Sequence, residues 1–356
     1  MAALIITKPT KMKKALLATI SLFIFFVTLN CISQALPKDI KVSQIYYDEN
    51  YNAFTSLIKF NGDFYCAFRS GERHVYGKDG LIKIITSKDG KAWKEVEEIT
   101  LNGFDLRDPK LSVTPEGRIM VTMGGSIYDG KTLLGGIPHV AFSNPKGTKF
   151  SPPQPIKYDA AIKTKFDWLW SLTWYEGTGY GGMYSRIEKK EGGNKTHIKL
   201  VKTTNGVDYE LVKDLGIEGN PNESTIRFLP NGEMLMLIRR EEGNKRAYLG
   251  KSSPPYTEWT FMESPYFIGG PDFVPIGEGQ YIGGGRINRE YTGLVAFDKD
   301  GNFREVLKLP SNSDSSYPGF VIENDTLYMS YYSSHETEKT SIYFAEIPLV
   351  ELKGIK

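Results

Sequence analysis

The chain has 356 residues, enough for one large core or two smaller ones, and its 40% hydrophobic and 24% charged residues are ordinary for a globular protein. A formal net charge of +2 gives no case for a nucleic-acid partner or for a polybasic membrane surface. Aromatic residues at 13% with 36 glycines suit short strands, tight turns and a site that stacks on sugar rings.

The N-terminus reads as a targeting segment over residues 1–35. Lys11, Lys13 and Lys14 form a basic region, Ala15 to Leu29 is an apolar run, and Ser33-Gln34-Ala35 offers small residues at a cleavage site. Met12 is the better start, because the charged region follows it directly. Export to the periplasm or the medium is expected, with no integral membrane domain after cleavage. Lipid attachment at Cys31 ranks below this, since Thr28-Leu29-Asn30 is a poor lipobox. Cleavage would leave only Cys66, so no intramolecular disulfide is expected and packing alone must hold the fold.

Beyond residue 45 a unit of roughly fifty residues repeats: strand, tight turn, strand, polar loop, strand, turn, strand. The first unit reads Phe54 to Phe60, a turn at Asn61-Gly62-Asp63, Phe64 to Phe68, a polar loop, Leu81 to Thr86, and a last strand after Trp93. The second opens at Pro109 and turns at Pro115-Glu116-Gly117. The third opens near Trp170 and turns at Glu176-Gly177. The fourth opens at Glu223 and turns at Pro230-Asn231-Gly232. The fifth opens at Asp272 and turns at Gly277-Glu278-Gly279. The sixth opens at Tyr317 and turns at Glu323-Asn324-Asp325. Gly, Asn and Asp tolerate the left-handed backbone of tight hairpins. The expected fold is all-β: a single six-bladed β-propeller of four-stranded antiparallel blades over residues 36–356, with a pair of β-sandwiches as the competing architecture.

The segment Ser87-Lys88-Asp89-Gly90-Lys91-Ala92-Trp93 matches the Asp-box turn, S-x-D-G-x-x-W, and Thr203 to Tyr209 looks like a worn copy. The Asp can accept backbone N–H bonds across the turn, Gly supplies a positive φ and Trp packs between strands. By that logic Asp89 is structural. The turn resembles those of sialidase-type blades and also occurs in propellers of other functions.

In such a propeller the start of each inner strand and the loop after the second strand share one face. Polar and aromatic residues at those positions are Arg69, Glu72, His74 and Asp79; Arg107 and Asp108; Trp170, Tyr184 and Arg186; Glu223, Arg239 and Arg240; Asp272 and Arg286; and Tyr317, His335 and Glu336. Solvated rim loops also carry charge, but here the residues recur at matching blade positions.

Two segments extend the resemblance to the sialidase superfamily. Asn222 to Gly232, closing on Arg239, is similar to the stretch in which a Glu opens a strand and an Arg closes the next. Ser316-Tyr317-Pro318-Gly319-Phe320 is similar to the segment carrying the nucleophilic Tyr. The resemblance implies Tyr317 as nucleophile, Glu223 as its base, Arg239 and Arg286 as arginines of a carboxylate clamp, and Asp79 as acid/base, with His74 or Glu72 as alternatives. A neutral nucleophile avoids the repulsion a carboxylate would meet at an anomeric carbon that bears a carboxylate, and guanidinium suits that carboxylate through its fork. The first arginine of the family is missing: Ala53 stands in its place, and Arg107 or Arg69 could substitute. Asp108, Trp170, Asp272 and His335 complete the expected substrate-binding set.

No cofactor and no metal are expected, because His74, His139, His197 and His335 lack metal-ligand spacing. Gly283-Gly284-Gly285 is a strand-end run rather than a phosphate loop. The expected function is a monomeric exo-acting glycoside hydrolase that releases a terminal acidic sugar, sialic acid or a relative, from a glycan by a retaining route. A non-catalytic glycan-binding propeller is one alternative. A polysaccharide lyase using Tyr317 and His335 on a uronic acid is another.

Overall fold

Each repeat folds into one antiparallel sheet, and six sheets stand around a common axis as a six-bladed β-propeller. The computed structural model describes residues 36–188, 194–277 and 279–352; the expected targeting segment lies outside them. The innermost strands are Tyr51–Phe60, Asp105–Val113, Asp167–Tyr175, Pro221–Phe228, Ile268–Gly277 and Ser316–Glu323. Each touches the next, and the last returns to the first. The third sheet carries a fifth, short strand, Lys157–Tyr158, which pairs in parallel with Asp208–Asp214.

The core is divided like the blades. Six clusters of buried side chains fill the six spaces between neighbouring sheets. Ile82, Ile84 and Leu106 sit between the first two blades, for example, and Leu235, Leu249, Phe273 and Phe297 between the fourth and fifth. Each large apolar side chain so buried contributes about 1.5–3 kcal/mol. One cluster crosses the axis, joining Phe54 and Tyr317 to Trp168 and Trp170 of the third blade.

The ring is closed by the N-terminal strand Lys41–Tyr46, which forms the outer edge of the sixth blade and pairs antiparallel with Ser341–Pro348. The sequence pattern begins after this strand and does not reveal it.

The turns between third and fourth strands in the first, third and fourth blades share parts of one chemistry. Asp89 Oδ1 accepts from the Lys91 and Ala92 N–H groups at 2.9 and 3.2 Å, and Trp93 Nε1 donates to the Gly90 carbonyl at 2.9 Å. Asn205 Oδ1 takes the Asp role in the third blade, accepting from Val207 and Asp208 N–H at 2.8 Å each. In the fourth blade Trp259 Nε1 donates to the Tyr256 carbonyl at 2.9 Å, with Tyr256 at φ +66° where the other turns have Gly.

Every innermost strand breaks register with its neighbour near its start: between Ala53 and Ser56, Arg107 and Lys110, Leu169 and Leu172, Pro221 and Ser224, Gly269 and Asp272, and Ser316 and Gly319. Such bulges bend the strand and re-aim the side chains they contain. Inside the six bulges lie Phe54, Asp108, Trp170, Glu223, Gly270 and Tyr317. Phe54, Asp108, Gly270 and Tyr317 have left-handed backbones, with φ of 63°, 49°, 63° and 53°. For the three that carry a Cβ this conformation costs about 1–3 kcal/mol, a strain that clusters at functional sites.

Candidate active site on the propeller axis

Antiparallel pairing sets the beginning of each inner strand against the end of the second strand. Ala53 lies opposite Arg69, Gly269 opposite Arg286 and Ser316 opposite Tyr332. The bulge residues and the ends of the second strands therefore meet on one face.

At the centre Tyr317, Glu223 and Arg239 form one bonded unit. Tyr317 Oη donates to Glu223 Oε1 at 2.8 Å and accepts from Arg239 Nη1 at 2.9 Å. The same Nη1 donates to Glu223 Oε2 at 2.5 Å, and the Gly270 N–H donates to that oxygen at 2.8 Å. Arg239 Nη2 pairs with Glu241, which also receives Arg289. The Tyr317 backbone is pinned as well: its carbonyl accepts from Thr55 Oγ1 at 2.7 Å. Its ring packs edge-on against Phe54 and Trp170, at 5.0 and 5.6 Å between centroids.

The electrostatics follow from burial and pairing. Burial pushes the Tyr317 phenol well above its ordinary range and the Glu223 charge adds to this, while Arg239 opposes it. Burial alone would also raise the Glu223 carboxyl. Arg239 beside it, the Tyr317 hydroxyl and the Gly270 N–H together hold it below the usual range. A free phenolate is therefore costly, and Glu223 can take the phenol proton only as the oxygen forms a bond elsewhere.

Asp108 lies in the same ring of bulges. Burial lifts its carboxyl to about 6; Arg107 pulls it down and the Glu223 charge pushes it up. It makes no hydrogen bond among the described residues. Arg107 donates from Nη1 to the His74 carbonyl at 2.8 Å and to Asp105 Oδ2 at 3.2 Å, and its guanidinium lies 5.1 Å from the Phe54 ring centre.

A second bonded group stands at the rim. Tyr51 Oη lies 2.6 Å from His74 Nδ1 and donates to Asp314 Oδ2 at 2.5 Å. His74 Nδ1 is 3.2 Å from Asp314 Oδ1, and Tyr332 Oη donates to that oxygen at 3.0 Å. Arg286 Nη1 donates to the Ser313 carbonyl at 3.2 Å and stands 3.8 Å from Asp314, and its Nε is buried without a partner. Side-chain exposure climbs from 9% at Glu223 through 13% at Arg239 and 16% at Arg286 to about 40% at His74 and Asp314. The site is thus a bonded floor with an open rim.

The structure brings together Tyr317, Glu223, Arg239, Arg107, Asp108, Arg286 and His74. It sets the other expected residues apart. Arg69 is fully buried, with Nε on Asp105 at 2.8 Å and Nη1 on the Arg73 carbonyl at 2.8 Å, so it props the first-blade loop and cannot replace the missing arginine. Trp170 is fully buried beneath Tyr317 with the Lys110 ammonium 4.7 Å from its ring, so no face is left for a sugar. Asp272 is paired with Arg227 at 2.7 Å. Asp79 is exposed and bonds to nothing among the described residues. Glu72 accepts from the Lys78 N–H at 3.1 Å within its own loop. His335 packs on Tyr343 at 4.6 Å, away from Tyr317, so the Tyr317–His335 pair of the lyase reading does not form.

Asp314, Tyr51 and Gly270 were not found from the sequence. Asp314 sits in the inter-blade run Ser311 to Ser316, outside the two positions where chemistry was sought. Its one signal is closeness to Tyr317.

The fold is a six-bladed β-propeller whose inner-strand bulges gather polar and aromatic side chains on its axis. No protein-family model matches the chain, and no curated protein matches it. Among solved structures it is similar to a Dyadobacter fermentans protein of unknown function, with a TM-score of 0.75 and 18% identity over 87% of this chain and 100% of that one. It is similar to Trypanosoma rangeli sialidase, with a TM-score of 0.72 and 12% identity over 90% of this chain and 61% of that one. An α-L-arabinofuranosidase from Fusarium graminearum gives 0.65 and 15% over 86% and 95%. The structural neighbours thus include glycoside hydrolases of two specificities, and at these identities the likeness is one of fold.

Proposed function

We propose that this protein is an exo-acting, retaining glycoside hydrolase, working outside the cytoplasm, in which Tyr317 attacks the anomeric carbon of a terminal sugar. The observation that carries this reading is the closed unit of Tyr317, Glu223 and Arg239, with its three bonds of 2.5–2.9 Å. As the Tyr317 oxygen bonds to carbon, its proton passes to Glu223 Oε1, and Arg239 Nη1 stays on the oxygen throughout. Proton transfer coupled to bond formation suits a phenol too buried to ionise first.

An acidic terminal sugar fits Arg286, whose guanidinium makes a single hydrogen bond, to the Ser313 carbonyl, among the described residues. A second reading, a neutral terminal sugar, is favoured by a different observation: Arg239 and Arg107 already face protein carboxylates, at 2.5 and 3.2 Å. The test is hydrolysis of 4-methylumbelliferyl α-sialoside and α-L-arabinofuranoside by the wild type and by Tyr317→Phe. Turnover of either, abolished in the variant, supports the mechanism, and the substrate chosen decides the class. Turnover of neither, with tight binding of a glycan, would replace it with a lectin-like role.

A further inference from the structure

The floor of the site supplies a nucleophile and its base but no group placed to protonate a leaving oxygen. In an exo-acting pocket the aglycone points to the exit, so the acid must stand on the rim, across the sugar from Tyr317. Asp108 lies in the floor layer with Tyr317 and Glu223. Asp79 and Glu72 are exposed or tied off in their loop.

The rim holds a bonded cluster of Tyr51, His74 and Asp314. Tyr51 has a single proton, and it donates that proton's hydrogen bond to Asp314 Oδ2 at 2.5 Å. The Tyr51 oxygen is then an acceptor toward His74 Nδ1 at 2.6 Å, as is Asp314 Oδ1 at 3.2 Å. Nδ1 must carry hydrogen, which leaves Nε2 as the nitrogen that exchanges protons. Nε2 has no partner among the described residues. The ring is steadied edge-on by Phe54 at 5.2 Å, which itself touches Tyr317 at 5.0 Å, so one aromatic side chain spaces rim from floor. The charged and titratable neighbours are Asp314, Tyr51, Asp108, Arg107 and, behind Asp314, Arg286 and Tyr332. Burial would raise the Asp314 carboxyl, but the bonds from His74 and Tyr51 hold it at about 2, so it stays an anion beside the imidazole.

Resting on the hydrolase reading above, we propose that His74 is the acid/base of this site and that Asp314 and Tyr51 position it. In the first step Tyr317 Oη bonds to the anomeric carbon and gives its proton to Glu223. The bond to the leaving oxygen breaks, and that oxygen takes the proton of His74 Nε2. In the second, water bonds to the anomeric carbon and gives a proton to Nε2, the bond to Tyr317 breaks, and Glu223 returns its proton to the phenol. Nδ1 keeps its hydrogen throughout.

The test compares two glycosides of the sugar turned over in the screen above: 4-nitrophenyl, which departs without help, and methyl, which needs a proton. His74→Ala should lower kcat/KM for the methyl glycoside by about 10²–10⁴-fold and for the nitrophenyl glycoside by less than about tenfold. Azide should restore part of the rate and yield a glycosyl azide of retained configuration. Asp314→Asn should show the same split in weaker form, which mere loss of structure would not produce. Equal losses for both glycosides in His74→Ala, or the split appearing in Asp108→Asn instead, overturn this role and leave the hydrolase reading standing. An inactive wild type fells both.

Discussion

Gly270 lies flat against the ring of Tyr317: a Cβ at position 270 would stand 2.5 Å from Tyr317 Cγ. The same residue, at φ +63°, donates its N–H to Glu223. One glycine thus sets the Tyr317 ring and satisfies the carboxylate bonded to it. Gly270→Ala is expected to destabilise the fold by about 1–3 kcal/mol through backbone strain and to lower kcat/KM by much more than that loss explains. Thermal unfolding and steady-state rates on one sample check it; unchanged kinetics would mean the ring tolerates displacement.

Tyr317→Phe keeps the packing against Phe54 and Trp170 and deletes two hydrogen bonds. Arg239 remains paired with Glu223. The variant should unfold within a few degrees of the parent and lose at least roughly 100-fold in kcat. Glu223→Gln should be the less stable of the two, because it leaves the buried Arg239 with one carboxylate, Glu241. Melting curves of the two variants decide the order.

Asp108 and Asp314 should move stability with pH in opposite directions. Asp108 is raised on folding to about 6. Its contribution is fully present below about pH 4 and is lost as pH rises through 6. Asp108→Asn is therefore expected to be more stable than the parent at pH 8, by at most about 3 kcal/mol, with no such advantage below pH 4. Asp314, held at about 2, contributes above about pH 4 and loses this as pH falls through 2. Its half-exposed position makes the effect small. Denaturant titrations across this range, parent against each Asn variant, give the signs directly.

Arg286→Ala separates the two substrate classes. On a sialoside, loss of the Arg286 guanidinium should cost about 2–5 kcal/mol of transition-state binding, as for truncating one side of a buried charged pair. On a neutral arabinofuranoside it should cost little. Competition by free carboxylated sugars, measured with both proteins, provides the control.

The fold was legible because its unit repeats: six tight turns rich in Gly, Asn and Asp mark six hairpins. The strand starts were less so. Each inner strand begins one to four residues before its expected opening, because a bulge holding Pro109, Pro271 or Pro318 looks like a strand's first residue when it is an interruption inside one. The axial residues were readable from blade position, since antiparallel pairing fixes which ends meet. What position could not convey was pairing. Arg69 and Asp272 occupy the right places, yet their charges are taken by Asp105 and Arg227. Trp170 points to the axis and is sealed beneath Tyr317. Asp314 was missed because it lies between blades, where no repeat marks it.

The outer edge of the sixth blade has a history in time as well as a place. Ser43 and Phe344, bonded across the closing pair of strands, are 301 positions apart. At about 5–20 residues per second the ribosome needs roughly 15–60 s to pass from one to the other. For that interval the strand Lys41–Tyr46 lacks the partner it has in the finished fold, and the blades behind it can stack only as an open arc. Completion of the ring is then a single late event, set by the arrival of the last strand, and the six bulges converge on their axis only when it comes.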